Sequence, residues 1–136
     1  MDSGYWTAVV SGIGLALAFV SWLRPRPRRH QARALAIGLF ILPLCYVAFA
    51  LFAGELRALP HEGLGVLAYG GLAWLGLRRP WVLAAGWFAH VLWDLATPGL
   101  HAAYVPAFYG PLCLGFDVAV GVFAWRLSRR LATFPG

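Results

Sequence analysis

The chain has 136 residues, 61% of them hydrophobic and 12% charged, with a mean hydropathy of +0.71. That balance excludes an ordinary soluble domain and a disordered chain, and it points to a multi-pass membrane protein. The net charge of +6 comes from eleven arginines and no lysine. They stand between apolar segments, so the charge reports topology and argues against nucleic-acid binding.

Apolar segments at 4–23, 32–53, 60–77, 80–97 and 106–127 predict an all-α integral membrane bundle of five transmembrane helices, one domain over 1–136. Each is long enough to cross a hydrocarbon layer of ~30 Å at ~1.5 Å per residue. The first is preceded by Asp2 and followed by its arginines, the reverse of a secretory signal, so it is expected to stay as a retained helix. Its Gly12/Ala16 and Gly14/Ala18 spacings suit close helix contact. The second holds Cys45 but no polar stripe, and reads with the first as a packing or lipid-facing helix. The third opens near Pro60 and Glu62; the fourth stops at Thr97-Pro98-Gly99; the fifth opens at Pro106 and carries Cys113 and Asp117. A Cys45–Cys113 disulfide requires their helices to touch, and no thiol-metal motif is present.

The arginines set the direction. Arg24, Arg26, Arg28, Arg29 and Arg33 follow segment one, Arg78 and Arg79 follow segment three, and Arg126, Arg129 and Arg130 close segment five. Only Arg57 falls on the other side, beside Glu55. By the positive-inside rule the N-terminus is outside and the C-terminus cytoplasmic. Trp22, Trp74, Trp81 and Trp125 all fall at the expected inner interface. Arginine without lysine, with abundant Ala, Leu and Gly, further suggests a high-GC bacterial gene, and hence the bacterial inner membrane.

Ionisable residues inside such segments cost on the order of 3 kcal/mol at bilayer depth and mark sites, pathways or buried pairs. Here they are Glu62, His90, Asp94 and Asp117. Counted by helix rise from the inner end, Tyr69, His90 and Asp117 stand ~13–15 Å up, while Asp94, Cys113 and Glu62 stand ~20–24 Å up. Positions three, four or seven apart share a helix side, which aligns Trp87, His90 and Asp94, then Tyr109, Cys113 and Asp117, then Glu62 and Tyr69. The three stripes are expected to converge on one cavity open toward the outer leaflet. His61 and His101 are expected in solvated loops.

The pattern Gly86-Trp87-x-x-His90-x-x-Trp93-Asp94, a following proline, and Cys113-x-x-x-Asp117 resembles the signature of a family of small integral-membrane proteins of this length. With the glutamate at Glu62, the resemblance covers about residues 60–126 and implies that Glu62, His90, Asp94, Cys113 and Asp117 are signature positions. That family carries a His pair where this chain has Thr97-Pro98, and a Cys where it has Phe116. A looser likeness is to membrane sterol isomerases, in which a His and an acid four residues later face a cavity.

Three carboxyls and an imidazole in a low dielectric cannot all stay ionised, and such a set supplies an acid and a base in one pocket. The expected function is an enzyme isomerising or cyclising a hydrophobic lipidic or isoprenoid substrate. Asp94 or Asp117 is the acid, His90 its orienting partner or base, and Glu62 a second base. Tyr69, Trp87, Trp93, Tyr109 and Cys113 are the expected substrate-binding set, with Tyr69, Trp87 and Trp93 facing a developing cation. No cofactor is required by this scheme. A divalent metal held by Glu62, His90, Asp94 and Asp117 is the alternative, giving a membrane hydrolase, although one histidine is few for such a centre. A proton- or metal-translocating module and a purely structural polar pair are the readings outside enzymology. Membrane lipids are the expected partners, and homo-oligomerisation is left open.

Overall fold

A computed structural model describes residues 3–132. Every element among them is helical: α1 Ser3–Leu23, α2 Arg28–Ala53, a 3-10 turn Leu56–Ala58, α3 Leu59–Arg78, α4 Pro80–Ala96, the short α5 Pro98–His101, and α6 Tyr109–Ala132. α1, α2 and α6 are long and apolar enough to cross a membrane; α3 has 20 residues and α4 has 17. α2 begins four residues earlier than its apolar run, inside the arginine cluster, since hydropathy does not set a helix start and arginine is a good helix former. α6 begins three residues after Pro106, not at it, and the intervening turn is closed by the Tyr109 N–H on the Pro106 carbonyl at 2.8 Å. α5 is a further helical turn that the apolar pattern does not announce.

Local chemistry explains the joints. α2 ends where Gly54 takes φ 74°, with the Glu55 N–H on the Ala50 carbonyl at 2.9 Å and the Gly54 N–H on the Leu51 carbonyl at 3.2 Å. α3 and α4 each carry proline in the first turn, where the missing N–H costs nothing, and a single residue, Arg79, separates them. The Gln31 side chain donates to the carbonyls of Arg24 (3.1 Å) and Arg26 (2.8 Å) and ties the α1–α2 turn. Pro43, inside α2, removes one intrahelical hydrogen bond three residues before Tyr46.

α6 packs between α1 and α4, α3 packs between α2 and α4, and α2 also touches α4. The α1–α6 crossing is backbone on backbone. A Cβ on Gly12 would stand 2.0 Å from the Leu112 carbonyl oxygen, and one on Gly115 would stand 2.1 Å from that of Val9. Of the two spacings expected to mediate close contact, Gly12/Ala16 is buried and Gly14/Ala18 faces outward. Leu23, Leu35, Leu39, Leu83, Trp87 and Val120 form the core. The periphery is apolar as well: Val10, Leu17, Ile37, Phe52, Leu67 and Leu92 are all more than half exposed. Ionisable groups are buried meanwhile, Glu62 at 1%, His90 at 1% and Asp117 at 0% exposure. An apolar exterior around a few buried ionisable groups suits lipid as the solvent.

Candidate functional site

α4 projects His90 and Asp94 from one face, because residues four apart stack along a helix. α6 brings Asp117 opposite them, and its Oδ2 lies 2.7 Å from His90 Nδ1. Asp94 Oδ2 is 3.8 Å from the same nitrogen, too long for a hydrogen bond. Asp94 is held instead by α2: the Tyr46 hydroxyl donates to Asp94 Oδ1 at 2.8 Å. Tyr46 is 1% exposed and its ring stands edge-on to His90, 5.8 Å between centroids. Tyr69 closes the other side of the imidazole, also edge-on at 5.2 Å. Asp94 Oδ2 and Asp117 Oδ1 remain buried without a hydrogen-bond partner. The result is a chain, Tyr46–Asp94 beside His90–Asp117, with one unpaired oxygen on each carboxyl.

Glu62 does not join that chain. It sits in the first turn of α3 next to His61, and α5 folds His101 back over both. His101 Nε2 lies 3.4 Å from Glu62 Oε1, and the Tyr104 hydroxyl donates to the same oxygen at 2.5 Å. His101 is 7% exposed, so it is not the solvated loop residue expected, and His61 is half-buried with its ring stacked on Trp93 at 4.6 Å. His101, the last residue of α5, is set against the rings of Tyr46 and Tyr104, while Trp93 of α4 covers the His61 ring. Burial, and the Glu62 carboxylate it faces, raise the Tyr104 phenol above its usual range, so it stays a donor at physiological pH. The Tyr46 ring separates the two clusters, 4.6 Å from the His101 ring on one side and facing His90 on the other. In place of one group of Glu62, His90, Asp94 and Asp117, there are two neighbouring triads: His90/Asp94/Asp117 and His61/Glu62/His101.

A cavity of about 370 Å³ opens at this end of the bundle. Tyr5, Tyr46, Asp94 and His101 are its polar lining, against apolar walls such as Val91 and Leu114. Of the expected site residues only Asp94 reaches it. Tyr69 packs behind His90, Trp93 behind His61, and Trp87 lies 1% exposed between α2 and Phe116. Tyr109 packs edge-on against Tyr46 and Phe49, and Cys113 is buried; both it and Cys45 are free thiols. No family model matches the chain, and no curated protein or solved structure matches it either.

Tyr46, His61 and His101 are the functional candidates that sequence reasoning did not select. The adjacency of His61 to Glu62 was a usable signal, as was the four-residue step from Thr97 to His101, whose side chains approach to 3.4 Å. Tyr46 offered none: it is one aromatic among many on an otherwise apolar helix.

Proposed function

We propose that this chain is a five-span enzyme of the bacterial inner membrane, N-terminus outside and C-terminus cytoplasmic, that isomerises or cyclises an apolar lipidic or isoprenoid substrate. Its kinship with the small membrane family that residues 60–126 resemble belongs to the same proposal. The observation that carries it is Asp94, a carboxyl on the wall of a mostly apolar cavity, backed by a buried His90–Asp117 pair. Cavities of ~300–1,000 Å³ with apolar walls and a few convergent polar groups are the usual form of small-molecule sites.

Asp94 is the proton carrier in this reading. In its acid form it gives a proton to one carbon of a substrate double bond, whose π electrons form the new C–H bond. The neighbouring carbon becomes cationic and then loses a proton from an adjacent position, forming the new double bond. The Asp94 carboxylate receives that proton and the enzyme is restored. Tyr46 holds Asp94 through its second oxygen, and its ring lines the cavity. His90, neutralised in part by Asp117, sits beside Asp94 and limits the spread of charge as the proton leaves and returns.

The test is solvent-proton exchange. Purified protein in detergent is incubated in D2O with an isoprenoid and sterol extract of bacterial membranes, and the lipids are weighed by mass spectrometry. One lipid class is expected to gain deuterium, and Asp94→Asn to slow the gain by ~10²-fold or more, the range of general acid–base catalysis. Failure of every lipid to exchange faster than with heat-inactivated protein would sink the reading.

A further inference from the structure

The acid–base scheme leaves His61, Glu62 and His101 without a task. One ligand atom from each lies within 4.8 Å of the other two. His101 Nε2 and Glu62 Oε1 are 3.4 Å apart, and neighbouring ligands on a tetrahedral zinc with bonds of ~2.1 Å are themselves about 3.4 Å apart. His61 Nε2 is buried with no hydrogen-bond partner, a nitrogen that a bound cation would satisfy. Two neutral imidazoles and one carboxylate, with a further position open, are the ligand set of a catalytic zinc rather than of calcium or magnesium.

The surroundings are those of a built site. Tyr104 donates to Glu62 and fixes its carboxylate, as outer-shell partners of metal ligands do. Trp93 stacks on the His61 ring with planes 21° apart, and Tyr46 and Tyr104 flank the His101 ring at 4.6 and 5.9 Å. Packed rings lose little further freedom on ligation. His101 also lines the cavity, which gives an ion a way in. The second triad is the weaker candidate, since it offers one imidazole and His90 already spends its Nδ1 on Asp117.

We infer that His61, Glu62 and His101 form a binding site for a divalent transition-metal ion of the zinc class, with Tyr104 as a positioning residue. Metal binding stands on its own geometry. Only the use of the ion rests on the reading above: held by these residues beside the cavity, it would supply Lewis-acid chemistry to a substrate bound there.

Full-length protein in detergent is stripped with chelator, equilibrated with Zn2+, desalted and assayed for metal; Co2+ is loaded in parallel and its absorption spectrum recorded. One zinc per chain and the intense visible bands of tetrahedral Co2+ are expected. His61→Ala and His101→Ala are expected to weaken zinc binding at least 100-fold, and Tyr104→Phe by ~10-fold. Asp94→Asn is expected to bind zinc as the wild type does while failing the deuterium assay, so the two readings fail separately. Wild-type protein that retains no zinc and gives no tetrahedral cobalt bands overturns the inference, whether or not the variants fold. So does zinc retained by the His61→Ala/His101→Ala protein but lost with His90→Ala.

Discussion

At the scale of single residues, the His90–Asp117 contact is the element most exposed to test. Both groups are buried and each is the other's main partner at 2.7 Å. Removing one member of such a pair strands the other away from water, at a cost of ~3–5 kcal/mol. Asp117→Ala is therefore expected to lower the melting temperature in detergent sharply, and Asp117→Asn much less, because an amide oxygen still accepts from the imidazole. Tyr46→Phe leaves Asp94 in place but takes away its donor, an expected loss of ~1–3 kcal/mol. Equal melting of Asp117→Ala and the wild type would show that the pair is not closed in the membrane protein. The depth and side of His90, Asp94 and Asp117 are legible in the sequence, because helix rise and the four-residue repeat fix both. His61 and His101 are not, because one is covered by Trp93 of another helix and the other sits on α5, a one-turn helix with no periodicity to read.

At the scale of helices, the α1–α6 crossing carries a separate prediction. Side chains usually keep helix backbones 8–10 Å apart, and only glycine allows the approach seen here. Gly12 and Gly115 face each other's helix through carbonyl oxygens, which cannot move aside as a flexible side chain can. Gly12→Leu is expected to prise α1 from α6 and destabilise the protein by at least ~1–3 kcal/mol, the ordinary cost of overpacking. Gly14→Leu, on the outward face with nothing within 4 Å, is the matched control and is expected to melt as the wild type does. Similar melting of the two variants would mean that α1 is not held by this crossing. The apolar runs marked both spacings as suitable, yet only tertiary packing decides which one meets a neighbour. The same limit applies to helix ends: α2 extends into arginines and α6 starts late, since caps and turns, not hydropathy, set those points.

At the scale of the whole molecule, charge and aromatic placement agree on a direction. The α1–α2 turn with the first turns of α2, the α3–α4 joint and the end of α6 carry ten of the eleven arginines. Arg24, Arg126 and Arg130 line one depression there, and the Arg28 guanidinium donates to the Arg130 carbonyl at 3.4 Å. Trp22, Trp74, Trp81 and Trp125 are each at least half exposed at that end, with Arg26 over the Trp22 ring at 3.6 Å and Arg78 over Trp74 at 4.4 Å. Such amphipathic pairs belong at a headgroup layer, where the ring meets lipid and the guanidinium meets water and phosphate. A fluorescent reporter that folds only in the cytoplasm, fused after residue 136, is therefore expected to be bright. Replacing Arg24, Arg26, Arg28 and Arg29 with Asn still leaves six arginines against one, so the reporter is expected to stay bright. Orientation should invert only when arginines are also added at the Glu55 turn, because the bias counts both sides. A dark reporter on the unaltered chain would turn the bundle over, moving the cavity and both triads to the cytoplasmic side. The deuterium and zinc assays would be untouched by that result, since neither depends on which leaflet the substrate leaves.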